Sequence, residues 1–219
     1  SDVYKRQVLP DADLDITADA AVSAAFGSAG ERCMAISVVV AVGNVADPLL
    51  SAIQKRMPNI RVGPATDDKA EMGPLITKEA RDRVEGYVAN ATAEGATVVV
   101  DGRNHDLGEQ GFFTGMSLLD GVKPGMKCYD DEIFGPVLGV ARVETYEEGL
   151  KLINDNLYGN GTAIFTRDGG VARQFQFDVE VGMVGVNVPI PVPVSYYSFG
   201  GWKASLFGDT HMYLSLIHI

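Results

Sequence analysis

The chain has 219 residues, 46% hydrophobic and 21% charged, enough for one large or two small domains whose core needs no disulfide or metal staple. Its formal net charge of -11 and the lack of any Lys/Arg cluster argue against a nucleic-acid partner. The longest apolar run, Cys33 to Gly43, is too short to cross a bilayer, and the N-terminus lacks the layout of a signal peptide, so a soluble, cytoplasmic protein with no membrane contact is expected.

In chain order, "SDVYKRQ" at the start and "LSLIHI" at the end do not continue the patterns beside them and resemble adapter read-through in translated sequencing assemblies. Residues 1–7 and 214–219 are therefore expected to be non-native tails, with the natural sequence running from about Val8 to Tyr213. The Ala-rich segment Thr17 to Phe26 predicts a buried helix with Thr17 as N-cap, broken by "GSAG". "MAISVVVAVG" reads as a strand covered on both faces, and "ADPLLSAIQKRM" as a helix with Pro48 in its first turn. After a Gly/Pro-punctuated connection, "TKEARDRVEGYVANATAEG" has helical spacing and stops at Gly95, and "ATVVVDG" is the next strand.

From there "EIFGPVLGVARV", "YEEGLKLINDN", "GTAIFTRD", "GGVARQFQFDV" and "GMVGVNV" alternate strand, helix, strand, helix, strand. Such alternation predicts an α/β fold with a mostly parallel sheet covered by helices on both faces. "NVPIPVPVSYYSFGG" reads as an extended, Pro-rich loop shaped over a pocket.

The two cysteines, Cys33 and Cys128, lie in unlike contexts and suggest reduced thiols rather than a disulfide. His105, His211 and His218 are far apart with no metal-ligand spacing, so no metal site is expected. Cys33, in "FGSAGERCMA", follows Arg32 and a turn whose backbone amides could hold a developing oxyanion. It is thus either a nucleophile or a small buried hydrophobe, and local composition leaves both open. Cys128, with no base or cation defined nearby, reads as structural.

"FGSAGERCMA" resembles the Phe-x-x-x-Gly-x-x-Cys segment of the aldehyde dehydrogenase superfamily, and "EIFGPVL", Glu132 to Leu138, resembles its second signature about a hundred residues downstream. "NDNLYGNGTAIFTRD", "GMVGVNVP" and "SFGGWKAS" look like later blocks of that family, so the resemblance covers nearly all of Val8 to Tyr213. It implies a partial catalytic region, residues 8–213, carrying only a small piece of the cofactor domain. "GERCMA" and "YYSFGGWKASLFGD" look most like the coenzyme-A-acylating branch that acts on semialdehyde acids.

The resemblance implies that Cys33 is the nucleophile, NAD the hydride acceptor and coenzyme A the acyl acceptor, with methylmalonate or malonate semialdehyde as substrate and carbon dioxide released. Arg32 would grip the substrate carboxylate in two-point fashion, against the alternative that it caps a carbonyl or pairs with Glu31. Glu132 would accept from the nicotinamide ribose hydroxyls and Phe134 would lie against the nicotinamide ring, against a solvated charge and a core phenylalanine respectively. Phe199 would line the aldehyde pocket, and Asn187 would brace the loop beside the nucleophile. An oxyanion-holding Asn, the general-base Glu and most of the NAD site would fall upstream of Val8, so the chain by itself is expected to be inactive and short of a covering domain. Full-length subunits would form a homo-oligomer, a dimer or a tetramer. The competing expectations are a hydrolytic aldehyde dehydrogenase that makes a free acid, and a non-catalytic protein of the same fold.

Overall fold

A computed structural model describes residues 4–104, 111–194, 197 and 199–206, and all structural statements concern these. The chain begins with strand β1 (Tyr4–Val8), helix α1 (Leu14–Phe26), β2 (Ile36–Val42), α2 (Ala46–Arg56), α3 (Lys78–Glu94) and β3 (Thr97–Val100). It continues with β4 (Ser117–Asp120), the one-turn α4 (Lys127–Asp130), β5 (Val137–Val143), α5 (Tyr146–Asn154) and β6 (Tyr158–Gly159). Last come β7 (Gly161–Phe165), α6 (Gly169–Asp178), β8 (Met183–Val186) and β9 (Trp202–Lys203).

Seven strands form one sheet in the order β3-β4-β5-β2-β1-β7-β8, and β6 pairs with β9 in a separate two-residue ribbon. Every pairing in the large sheet is parallel except β3 with β4. The fold is α/β with a mostly parallel sheet, as the strand-helix alternation predicts. The larger core packs α1, α2 and α3 against the sheet through residues such as Phe26, Leu49, Ile53, Val84 and Val88. A smaller core gathers α5 and α6 through Ile153, Phe175 and Val179. Val38 to Ala41 at the centre of the sheet are fully buried, which accounts for the unbroken apolar run of β2.

Helix α1 starts earlier than the apolar pattern suggests. Asp13, not Thr17, is the N-cap: its carboxylate accepts from the Asp15 and Ile16 amides, while Thr17 is buried and turns its hydroxyl back onto the Asp13 carbonyl. Arg167, just before α6, donates to the same carboxylate at 2.9 Å and ties the two helix starts together. The Ile16 amide, followed by Arg167, holds the Asp13 carboxyl below its usual 3.8. A carboxyl depressed on folding stabilises the native state above its unfolded pKa, and that contribution disappears as pH falls through the folded pKa. Asp13→Ala is therefore expected to lower the thermal midpoint at pH 7, with the gap from the parent closing as the pH is taken down through the carboxylate range.

The remaining corrections have local causes. The strand expected over "EIFGPVLGVARV" begins only at Val137, because Phe134 takes a left-handed φ of 52° and Pro136 follows. Strand β4 and helix α4, of four residues each, are too short to show a periodicity. Of the expected tails, residues 1–3 and 214–219 lie outside the described residues, whereas Tyr4–Val8 is the strand between β2 and β7. In that central slot Lys5, Arg6 and Gln7 are buried. Lys5 and Arg6 lie over the rings of Tyr129 and Phe165, and Arg6 also donates to the Pro189 carbonyl. Arg6 Nε and Nη1 and Gln7 Oε1 nevertheless have no hydrogen-bond partner among the described residues, and burial pushes the Arg6 guanidinium down to about 9.

Because the large sheet is parallel around β2, its two edges have different chemistry. At the carboxyl edge Asp11 accepts from the Thr166 hydroxyl and from the Arg167 and Asp168 amides, and the Asn187 side chain both accepts from and donates to the Thr166 backbone. Asn187 thus braces the end of β7 rather than a loop beside Cys33. Its φ of 53° reverses the chain, so that Pro189 and Pro191 return along the sheet to Lys5, Arg6 and Ile36. The amino edge, where β2 and β5 begin, is left to the two signature loops.

Candidate active site

The first loop leaves α1 through three consecutive left-handed residues, Ser28, Ala29 and Gly30, with φ of 53°, 55° and 70°. A turn then closes from the Ala35 amide to the Arg32 carbonyl at 3.0 Å and delivers the chain into β2. Cys33 is the second residue of that turn and is exposed to solvent. Its backbone amide donates to no other described residue, leaving an N–H beside the thiol.

The second loop, immediately before β5, closes on the first. Gly30, Arg32 and Cys33 from one loop and Glu132, Phe134 and Gly135 from the other line a single narrow cleft. Contact between the loops depends on Gly30, where a Cβ would lie 2.2 Å from the Gly135 carbonyl oxygen, and the seating of the second loop on α3 depends on Gly135, where a Cβ would lie 2.4 Å from a Val84 methyl. Neither requirement is visible in a single sequence, although both glycines stand inside the quoted motifs.

Cys33, Arg32, Glu132 and Phe134 come together although their two segments are about a hundred residues apart in the chain. Glu132 is half-buried, while Phe134 is 38% exposed and therefore not a core phenylalanine. Its left-handed φ is costly for an aromatic residue, of order 1–3 kcal/mol, and such strain concentrates where a side chain must be presented. Phe199 is half-buried against the main core and is not among the residues lining this cleft. Arg32 neither caps a carbonyl nor pairs with Glu31 among the described residues. Its Nε donates to the Ser28 hydroxyl at 3.1 Å, and the Glu31 carboxylate accepts from the Ile76 amide. Cys128 is buried, with its thiol pushed up to about 11 by desolvation first and the charge of Glu94 second, as suits an inert cysteine.

A roomier hollow, about 750 Å³, lies elsewhere, against α4 and α5. Its walls carry the carboxylates of Asp130, Asp131, Glu148 and Asp155, with Lys151 paired to Asp155, and no thiol. Size alone would point there, but an electrophile needs a nucleophile, and the exposed one is Cys33. Among the described residues no group of His, Cys, Asp and Glu could hold a metal, and no helix is long and apolar enough to cross a membrane.

The mostly parallel α/β scaffold thus presents an exposed cysteine in a turn, faced by a carboxylate and a strained aromatic. The chain belongs to the aldehyde dehydrogenase family, whose model matches residues 6–218. It is similar to malonate-semialdehyde dehydrogenase of Pseudomonas aeruginosa, at 56% identity over 94% of this chain and 42% of the relative. It also resembles the mitochondrial acylating methylmalonate-semialdehyde/malonate-semialdehyde dehydrogenase of Rattus norvegicus, at 48% identity over 94% of this chain and 39% of the relative. Among solved structures, methylmalonate-semialdehyde dehydrogenase from Oceanimonas doudoroffii superposes with a TM-score of 0.94 at 52% identity, covering 96% of this chain and 44% of that one. An NAD complex from Sinorhizobium meliloti, assigned to the same activity, gives 0.92 at 51% identity, covering 95% and 43%. The chain spans about two-fifths of the length of the curated relatives it matches.

Proposed function

We propose that this chain carries the nucleophile half of an NAD-dependent, coenzyme-A-acylating semialdehyde dehydrogenase that takes methylmalonate or malonate semialdehyde. The observation that carries the reading is the meeting of Cys33, Glu132 and Phe134 in one cleft, on a chain about half identical to relatives named for that activity.

In this reading the Cys33 thiolate adds to the aldehyde carbon, and the new alkoxide takes the unused Cys33 amide as one of its donors. The residues on the second loop fit a nicotinamide cofactor: Glu132 has two carboxylate oxygens for a vicinal diol, and Phe134 offers an exposed ring face. When bound, NAD supplies the hydride acceptor. Loss of hydride from the former aldehyde carbon leaves a thioester on Cys33. The thiol of coenzyme A then attacks that carbonyl and gives up its proton as the Cys33 thiolate leaves, and the substrate's own carboxylate departs as carbon dioxide, the electron pair it leaves on the α-carbon taking up a proton from solvent. Arg32 holds that carboxylate until then through its planar guanidinium. The full-length enzyme is a homo-oligomer, dimer or tetramer, working in the cytoplasm.

The test is to incubate the full-length enzyme with methylmalonate semialdehyde and NAD, with and without coenzyme A, and to identify products by mass spectrometry. Propionyl-CoA formed only when coenzyme A is present is the expected result. Equal amounts of free acid in both tubes would assign the chain to the hydrolytic branch instead.

A further inference from the structure

The loop that carries the nucleophile also contains a device with no part in the chemistry at sulfur. Arg32 does not extend freely into solvent. Its Nε donates to the hydroxyl of Ser28, one turn earlier, and the flat guanidinium lies on the α-carbon of Gly27. A Cβ built on Gly27 would fall 2.5 Å from Nη2, 2.8 Å from Cζ and 3.0 Å from Nη1. The backbone at Gly27 has φ of -55° and ψ of 135°, a conformation open to any residue, so its torsions do not call for glycine. The space taken by the guanidinium does.

Ser28 adds the second half of the arrangement. Its left-handed backbone is uncommon outside glycine, and its hydroxyl accepts from Nε, which leaves the Nη1/Nη2 edge of the guanidinium for an end-on two-point grip on a carboxylate. Among the described residues Nη1 and Nη2 make no hydrogen bond and meet no carboxylate. Arg32 lines both the Cys33 cleft and the adjoining groove bounded by Phe26, Gly27, Arg56 and Ile60. A long side chain fixed at one nitrogen, with its paired donors open, has already given up rotamer freedom that carboxylate binding would otherwise cost.

From this geometry we infer that Gly27 and Ser28 form a seat for the Arg32 guanidinium, and that the seat sets the enzyme's preference for aldehydes bearing a carboxylate. Both are positioning residues, and the inference rests on the reading of Arg32 as the carboxylate grip. Gly27→Ala displaces only the mobile end of a side chain, so the fold is kept while the guanidinium is pushed off its shelf. Ser28→Ala removes the Nε acceptor, and Ser28→Asn restores an acceptor on a residue that tolerates the left-handed backbone.

The experiment measures kcat and KM in the full-length enzyme for methylmalonate semialdehyde and for propanal, which lacks the carboxylate, in Gly27→Ala, Ser28→Ala, Ser28→Asn, Arg32→Ala and the Gly27→Ala/Arg32→Ala double variant. The ratio of kcat/KM for the acid to that for propanal should fall about tenfold in Gly27→Ala and severalfold in Ser28→Ala, mainly through KM, since misplacing a binding group by about 1 Å has costs of this order or more. Ser28→Asn should recover part of the ratio, and Gly27→Ala should cost nothing further once Arg32 is gone. A ratio unchanged in Gly27→Ala while Arg32→Ala collapses it would overturn the seat and leave the grip standing. Losses that add in the double variant would also overturn the seat. An Arg32→Ala enzyme that keeps the parent ratio would overturn the grip itself, and the seat with it.

Discussion

Cys33→Ser in the full-length enzyme is expected to reduce kcat/KM by about 10⁴-fold or more, because the covalent route ends when the attacking atom is changed. Serine occupies nearly the same volume at an exposed turn position, so the thermal midpoint should move little. The two readouts together separate chemistry from folding. Quenching the parent enzyme during turnover and measuring its intact mass should reveal an acyl adduct that the serine variant never forms. Cys128→Ser provides the control, since that thiol is buried and pushed up to about 11, and no adduct should be lost with it. Persistent turnover in Cys33→Ser would remove the basis of the proposed function.

The second large effect is expected from Gly30→Ala. An added Cβ at Gly30 would meet a backbone carbonyl, that of Gly135, at 2.2 Å, and the residue sits at φ of 70°. A left-handed alanine costs roughly 1–2 kcal/mol and forced overpacking about 1–3 kcal/mol more, so a loss of roughly 2–5 kcal/mol in stability is expected. Chemical denaturation measures it. Relief of the clash requires the two signature loops to part, so affinity for NAD should fall along with stability, read by titrating the cofactor's quenching of protein fluorescence. Gly73→Ala, where nothing lies within 4 Å, should leave both unchanged.

Several features of this molecule are legible one residue at a time. The Gly-bounded run of β2, the amphipathic α3 ending at a left-handed Gly95, and the alternation from β5 to β8 follow from propensity, spacing and backbone freedom. The segment that holds Cys33 is legible only through its resemblance to a family signature, since local composition leaves a nucleophile and a small buried hydrophobe both open. Elements of four residues are not legible, because β4 and α4 are shorter than the window in which a period can be recognised. The start of α1 was hidden for another reason: "DAD" offers two aspartates ahead of Thr17, and Asp13 acts as the cap while Asp11 is drawn away to the Thr166 loop.

What the sequence by itself determined is the inventory: an α/β chain, a candidate thiol and two motifs in order, because these depend on local composition and short-range spacing. The tertiary structure alone decided that the motifs share a cleft, that it opens at the amino edge of β2 and β5 rather than the carboxyl edge, and that Asn187 belongs to the opposite edge. It also decided where the Arg32 guanidinium lies, and that Gly27, Gly30 and Gly135 are needed for the space a Cβ would take. The physical reason is that parallel pairing joins β2 to β5 across about a hundred residues of chain, and close packing between such distant segments is a property of the assembled sheet, not of either segment alone.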